Sequence, residues 1–131
     1  MASELRVNTL KDAAGANSVA MEYVAGGSAK AWVNFNGTGT IAVRDSLNVS
    51  GLVDNSTGDY GVTLSSAMVN ADYSISANGK NSSSVRTFYN SGGPTQADPT
   101  ASVFEITSYN ESAGAYVDSN YMLASAHGDL A

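Results

Sequence analysis

His127 is the only histidine of this 131-residue chain, and cysteine is absent, so thiolate chemistry, thiolate metal sites and disulfides play no part in it. One histidine so near the end of the last predicted strand does not support a Ser-His-Asp arrangement. On the symmetry axis of an oligomer, copies of His127 could hold a metal or anion; the plainer reading is a strand-tip residue. Glycoside hydrolysis needs two carboxyl groups facing each other across a cleft, and Glu105 with Asp118 is the one pairing worth testing. "DNSTGD" (residues 54–59) offers oxygen ligands at Asp54, Asn55, Thr57 and Asp59. The bidentate acid that a calcium loop requires would fall at Ser65, so the stretch reads as a turn. No catalytic residue, cofactor site or metal site is expected, and the chain reads as a non-enzyme.

Binding residues are better represented. Tyr89 and Asn90 flank one long polar segment, and Tyr109, Asn110, Tyr116, Asp118 and Tyr121 lie in or beside another. Aromatic faces stack on sugar rings while amides and carboxylates read hydroxyls, so these residues are candidate receptor or glycan contacts. The same mixture also serves to cap turns. Trp32, the only tryptophan, could stack on a pyranose, but its place beside a predicted hairpin favours packing or a subunit contact. Arg44 and Asp45, adjacent in a strand, point to opposite faces. Arg44 is therefore expected either to reach a carboxylate or backbone carbonyl across a strand or subunit boundary, with Asp59 a candidate partner, or to stay solvated. Five Asn-x-Ser/Thr sequons, at Asn36, Asn48, Asn55, Asn81 and Asn110, follow from a composition rich in Ser, Thr and Asn.

The elements that must position these residues are strands. Apolar residues make up 43% of the chain and charged residues 14%, a balance that supports a folded core and not disorder. The net charge is −6 and the six basic residues are scattered, which argues against a nucleic-acid surface and against anionic membranes. No apolar run is long enough to span a bilayer, and the opening lacks the positive-then-apolar order of a signal peptide.

Period-two alternation recurs in short blocks between turn residues. "SVAMEYV" aligns Val19, Met21 and Tyr23. "KAWVNF" sets Ala31, Val33 and Phe35 against Lys30, Trp32 and Asn34, and Asn36-Gly37 supplies the positive angles of a hairpin. "TIAVRDSLNVSGLV" reads as one continuing strand, and "YGVTLSS", "ADYSISA", "SVRTFYN", "SVFEITSYN" and "YMLASAHG" as the rest. "NGK" at 78–80 reads as a second hairpin turn, and "NSGGPTQADPT" and "NESAGAYVDSN" as long exposed loops. About eight such strands predict an all-β fold, an antiparallel, jelly-roll-like β-sandwich over residues 29–131.

Residues 1–28 fit that sandwich poorly. Leu5, Val7 and Leu10 have no neighbouring element to cover them, and apolar strands without a partner in their own subunit find one on another. An extended N-terminal oligomerisation segment is expected, with Leu5, Val7, Leu10, Trp32 and Arg44 as subunit-interface candidates.

The run "GSAKAWVNFNGTGTIAVRDSLNVSGLVDNSTGDYGVTLSSAM…ADY" resembles a segment of tail-fibre and other virion proteins of tailed bacteriophages. The likeness is carried by Trp32, Asn34, Phe35, Asn36, Gly37, Arg44, Asn48, Val49, Asp54, Gly58, Asp59 and Tyr60. "MASELRVNTLKDAAG" and "YMLASAHGD" are similar to the way short members begin and end. The resemblance implies a homotrimeric β-rich protein on the virion surface, a shared scaffold from Trp32 to Tyr73, and distal loops free for host-surface polysaccharide. It implies partners among other virion proteins and no catalytic machinery. The rival expectation is a trimeric capsid decoration or cement protein.

Overall fold

The computed structural model describes residues 5–80, 85–89 and 97–131. A two-stranded arm comes first, β1 (Thr9–Lys11) and β2 (Ser18–Ala20), followed by one short helix, α1 (Met21–Gly27). The strands β3 (Ala31–Asn36), β4 (Ala42–Leu47), β5 (Val49–Ser56) and β6 (Asp59–Leu64) come next. Then follow β7 (Ser74–Lys80), β8 (Val85–Tyr89), β9 (Val103–Asn110), β10 (Ala115–Tyr116) and β11 (Tyr121–His127). β4-β3-β11-β7 form one antiparallel sheet and β10-β9-β6-β5 another, with β8 on β9. The expected all-β antiparallel sandwich is what the chain forms.

Alternation dictates its core. Ala31, Val33 and Phe35 of β3 and Met122, Ala124 and Ala126 of β11 point inward from the four-stranded sheet. Tyr60, Val62 and Leu64 of β6 and Phe104 and Ile106 of β9 meet them from the other. Phe35 packs edge-on against Tyr60 with ring centroids 5.2 Å apart, joining the two sheets. Met68 and Tyr73 complete the core, and the Tyr73 hydroxyl donates to the Thr100 carbonyl at 2.9 Å.

Several local expectations are corrected. "TIAVRDSLNVSGLV" is two strands in different sheets: Asn48 adopts φ 55°, a left-handed conformation that breaks the run between β4 and β5. Its amide then ties the corner to the following turn, accepting from Ser66 N at 2.7 Å and donating to Ser66 O at 3.1 Å. Val19, Met21 and Tyr23 do not share a strand, because β2 stops at Ala20 and Met21 opens α1. Met, Glu and Ala favour the helix, and Glu22 suits its first turn.

The β3–β4 turn takes its positive angle at Gly39, not at Asn36 or Gly37. Asn36 instead caps the turn through Thr38, and Gly37 is required because a Cβ there would lie 2.6 Å from the Tyr60 hydroxyl. Asn78-Gly79 is not a hairpin turn but mid-strand in β7, paired with Leu123 and Met122, since the register with β11 runs on through Lys80. "DNSTGD" shrinks to a two-residue turn at Thr57-Gly58, with Gly58 at φ 67°. "NESAGAYVDSN" folds back sooner than expected: Gly114 at φ 64° closes a turn and β10 pairs with the end of β9.

Candidate functional site

The arm is the first feature that calls for a partner. β1 and β2 pair only with each other among the described strands, and α1 buries no residue. Leu5 is 80% exposed, Tyr23 69% and Leu10 41%, with Val7 and Val19 close behind. The hairpin is nonetheless built, not frayed. Asp12 accepts from Ala16 N at 3.0 Å and Asn17 Nδ2 at 2.7 Å, and Gly15 takes φ 70°. These bonds, that from the Asn17 side chain foremost, hold the Asp12 carboxyl below its ordinary range. The expected interface residues Leu5, Val7 and Leu10 all lie on this arm.

Trp32 and Arg44 lie elsewhere, on the outer face of the four-stranded sheet. The register places Trp32, Ser125 and Ser76 in one cross-strand row and Asn34, Leu123 and Asn78 in the next. These six side chains line an open groove of about 420 Å³. Its lining carries no charge. The Trp32 indole N–H, the Ser76 and Ser125 hydroxyls and the amide donors of Asn34 and Asn78 have no hydrogen-bond partner among the described residues.

Arg44 is the extra residue of the bulge in the β3–β4 register, so it shares the outer face with Asp45 instead of opposing it as strand alternation predicts, and it braces one end of this face. Its guanidinium donates to Asn34 Oδ1 at 3.3 Å and to the Asn120 carbonyl, and stacks 4.2 Å from the Tyr121 ring centroid. Arg44 thus reaches a backbone carbonyl, one of the expected alternatives. Asp59 is not its partner, being fully buried in the other sheet.

The described loop candidates do not converge on one surface. Asp118 Oδ1 accepts from Gly58 N at 2.8 Å and lies 3.0 Å from the Tyr60 hydroxyl, so it fastens a turn to the core. Asn110 caps its own turn by accepting from Ala113 N at 3.1 Å. Tyr109 and Tyr116 pack edge-on at 5.2 Å on the five-stranded sheet, whereas Tyr121 belongs to the opposite one. The Tyr89 side chain and Asn90 lie outside the described residues.

Glu105 is held by Asn55 Nδ2 at 3.1 Å and Ala97 N at 3.0 Å, away from the Asp118 cluster, so the two carboxylates form no facing pair. His127 ends β11 opposite Ser74. Among the described residues no group of three or more His, Cys, Asp or Glu could hold a metal ion, and no helix is long and apolar enough to cross a membrane.

Sequence reasoning picked out Trp32 but missed its five groove neighbours. They come from three strands far apart in sequence, and the only local signal was their place on the outward side of each alternation. Compared with protein-family models, curated proteins and solved structures, the chain matches none.

Proposed function

We propose that this chain is a non-enzymatic structural protein of a phage particle, of the tail-fibre type, which assembles as a homotrimer through its N-terminal arm. The sandwich is then the displayed part, on the virion surface. The observation that carries the reading is the arm: an ordered hairpin and helix on which Leu5, Val7, Leu10, Val19 and Tyr23 are left exposed among the described residues. Exposed apolar surface of this kind marks association. The tail-fibre likeness of residues 28–73 supports both the particle and the threefold assembly.

The arm also favours a second reading, a capsid decoration protein whose arm reaches into neighbouring capsid subunits. The two differ in what the intact protein binds. A tail-fibre protein adsorbs to host cells, and a decoration protein binds capsids and ignores cells.

The test of the shared claim is the double substitution Leu5→Asp with Val7→Asp. Light scattering of the full chain is expected to give about 40 kDa, three copies, and the variant one copy of 13.4 kDa. A variant of unchanged mass would overturn assembly through the arm.

A further inference from the structure

The groove on the four-stranded sheet has a chemistry that its own fold does not use. We infer that it binds a neutral carbohydrate, with Trp32 as the stacking platform and Asn34, Asn78, Ser76 and Ser125 as the groups that read its hydroxyls. The inference deepens the proposed display role and rests on it for its setting, while its chemistry stands on the groove alone.

Three observations select this occupant. The first is the arrangement: two apolar side chains, Trp32 and Leu123, stand diagonally among four short hydrogen-bonding ones in a two-by-three array across β3, β11 and β7. Neighbouring strands lie about 4.8 Å apart and alternate residues about 7 Å, which spaces the polar groups on the scale of a pyranose and its substituents. An aromatic face meets the C–H face of a sugar ring, and the flanking amides and hydroxyls meet its edge.

The second is charge. No lining side chain is ionised, and the nearest guanidinium, Arg44, is already occupied by Asn34, the Asn120 carbonyl and Tyr121. Asp45 stands beside Asn34 on one side and Lys80 one row beyond Asn78 on the other, opposite charges at two corners of a groove whose own lining is neutral. A neutral glycan is the complement. Arg44 acts as a positioning residue: by holding Asn34 Oδ1 it turns the Asn34 amide donor to the groove.

The third is access. Ser76, Asn78 and Leu123 are exposed and Trp32, Asn34 and Ser125 half-buried, so the donors on Trp32, Asn34 and Asn78 and the two hydroxyls face solvent and are not used in the fold's own hydrogen bonds among the described residues. A second copy of the chain pressed onto this face would have to match all of them with side chains of its own. A sugar offers several hydroxyls around its ring, each both a donor and an acceptor.

Because Trp32 is the only tryptophan, its emission reports on the groove alone. The full chain is titrated with neutral trisaccharides of glucose, mannose, galactose and N-acetylglucosamine, and with trigalacturonate. A saturable shift in Trp32 emission with at least one neutral trisaccharide, weaker or absent with trigalacturonate, is expected. Asn78→Ala and Ser125→Ala should each weaken it about tenfold at unchanged melting temperature.

No saturable response to any neutral trisaccharide, or a response that both variants leave intact, overturns the inference. So does an emission shift on simple dilution without sugar, which would place a second copy in the groove. The Leu5→Asp/Val7→Asp variant should keep the same midpoint for a single trisaccharide. Its mass and its titration therefore report separately on the assembly and on the groove.

Discussion

The Tyr60 hydroxyl lies where three distant parts of the chain meet, 2.8 Å from the Gly37 carbonyl and 3.0 Å from Asp118 Oδ1. Burial, and then the hydrogen bond and charge of Asp118, push its ionisation well above the ordinary tyrosine range. A raised pKa in the folded state means the contribution is fully present below about pH 10, the unfolded value, and is lost as pH rises toward the folded one. Tyr60→Phe is expected to cost about 1–2 kcal/mol at neutral pH. Between about pH 10 and 12 the melting temperature of the parent should fall more steeply than that of the variant, closing the gap. Parallel curves in thermal denaturation would show that Tyr60 does not carry this dependence. Gly58 is as constrained. At φ 67°, with an added Cβ meeting Ser108 O at 2.6 Å and Val117 N at 2.7 Å, Gly58→Ala should lose about 2–4 kcal/mol in chemical denaturation. Asp118 was a reasonable sugar-reading candidate from its neighbours in sequence. Its actual partners, Gly58 and Tyr60, are 60 and 58 residues away, and no local pattern signals such a bond.

At the scale of elements, alternation made the strands legible because it is a local consequence of one buried face. Val33 and Phe35, or Phe104 and Ile106, need no knowledge of the opposite sheet to be read as inward. Where a strand ends was harder. Apolar residues continue through "SLNVSGLV", so the move from one sheet to the other is marked by Asn48, through its left-handed conformation and its amide bonds to Ser66. Asn48→Gly keeps the left-handed angle and loses the two amide bonds to Ser66, whereas Asn48→Ala loses both. The expected losses are about 1–2 kcal/mol for glycine and about 1 kcal/mol more for alanine, read by urea denaturation. Equal losses would indicate that the bonds and not the angle make the corner. Asn78-Gly79 has the composition of a turn, yet β11 extends far enough to pair with it. Tertiary pairing there overrides a local preference. The groove was illegible for the same reason: Trp32, Ser76 and Ser125 become neighbours only through the order β3-β11-β7.

At the scale of the whole molecule, the sandwich has a buried core of its own and the arm, among the described residues, has none. Its core is closed by Phe35, Tyr60 and Phe104, whereas Leu5, Leu10 and Tyr23 stay in water in the single chain. The mismatch was visible in the sequence as an apolar N-terminal stretch without a neighbour; that its second half is a helix was not. Joining three copies through these residues would shelter them and set three grooves on one particle. Linked sites raise avidity without any new contact, so a weak sugar site becomes effective when presented in threes. Sedimentation velocity of the full chain, diluted into the nanomolar range, tests this assembly most directly. A species of about 40 kDa that persists on dilution is expected. A compact, stable single chain of 13.4 kDa would contradict it.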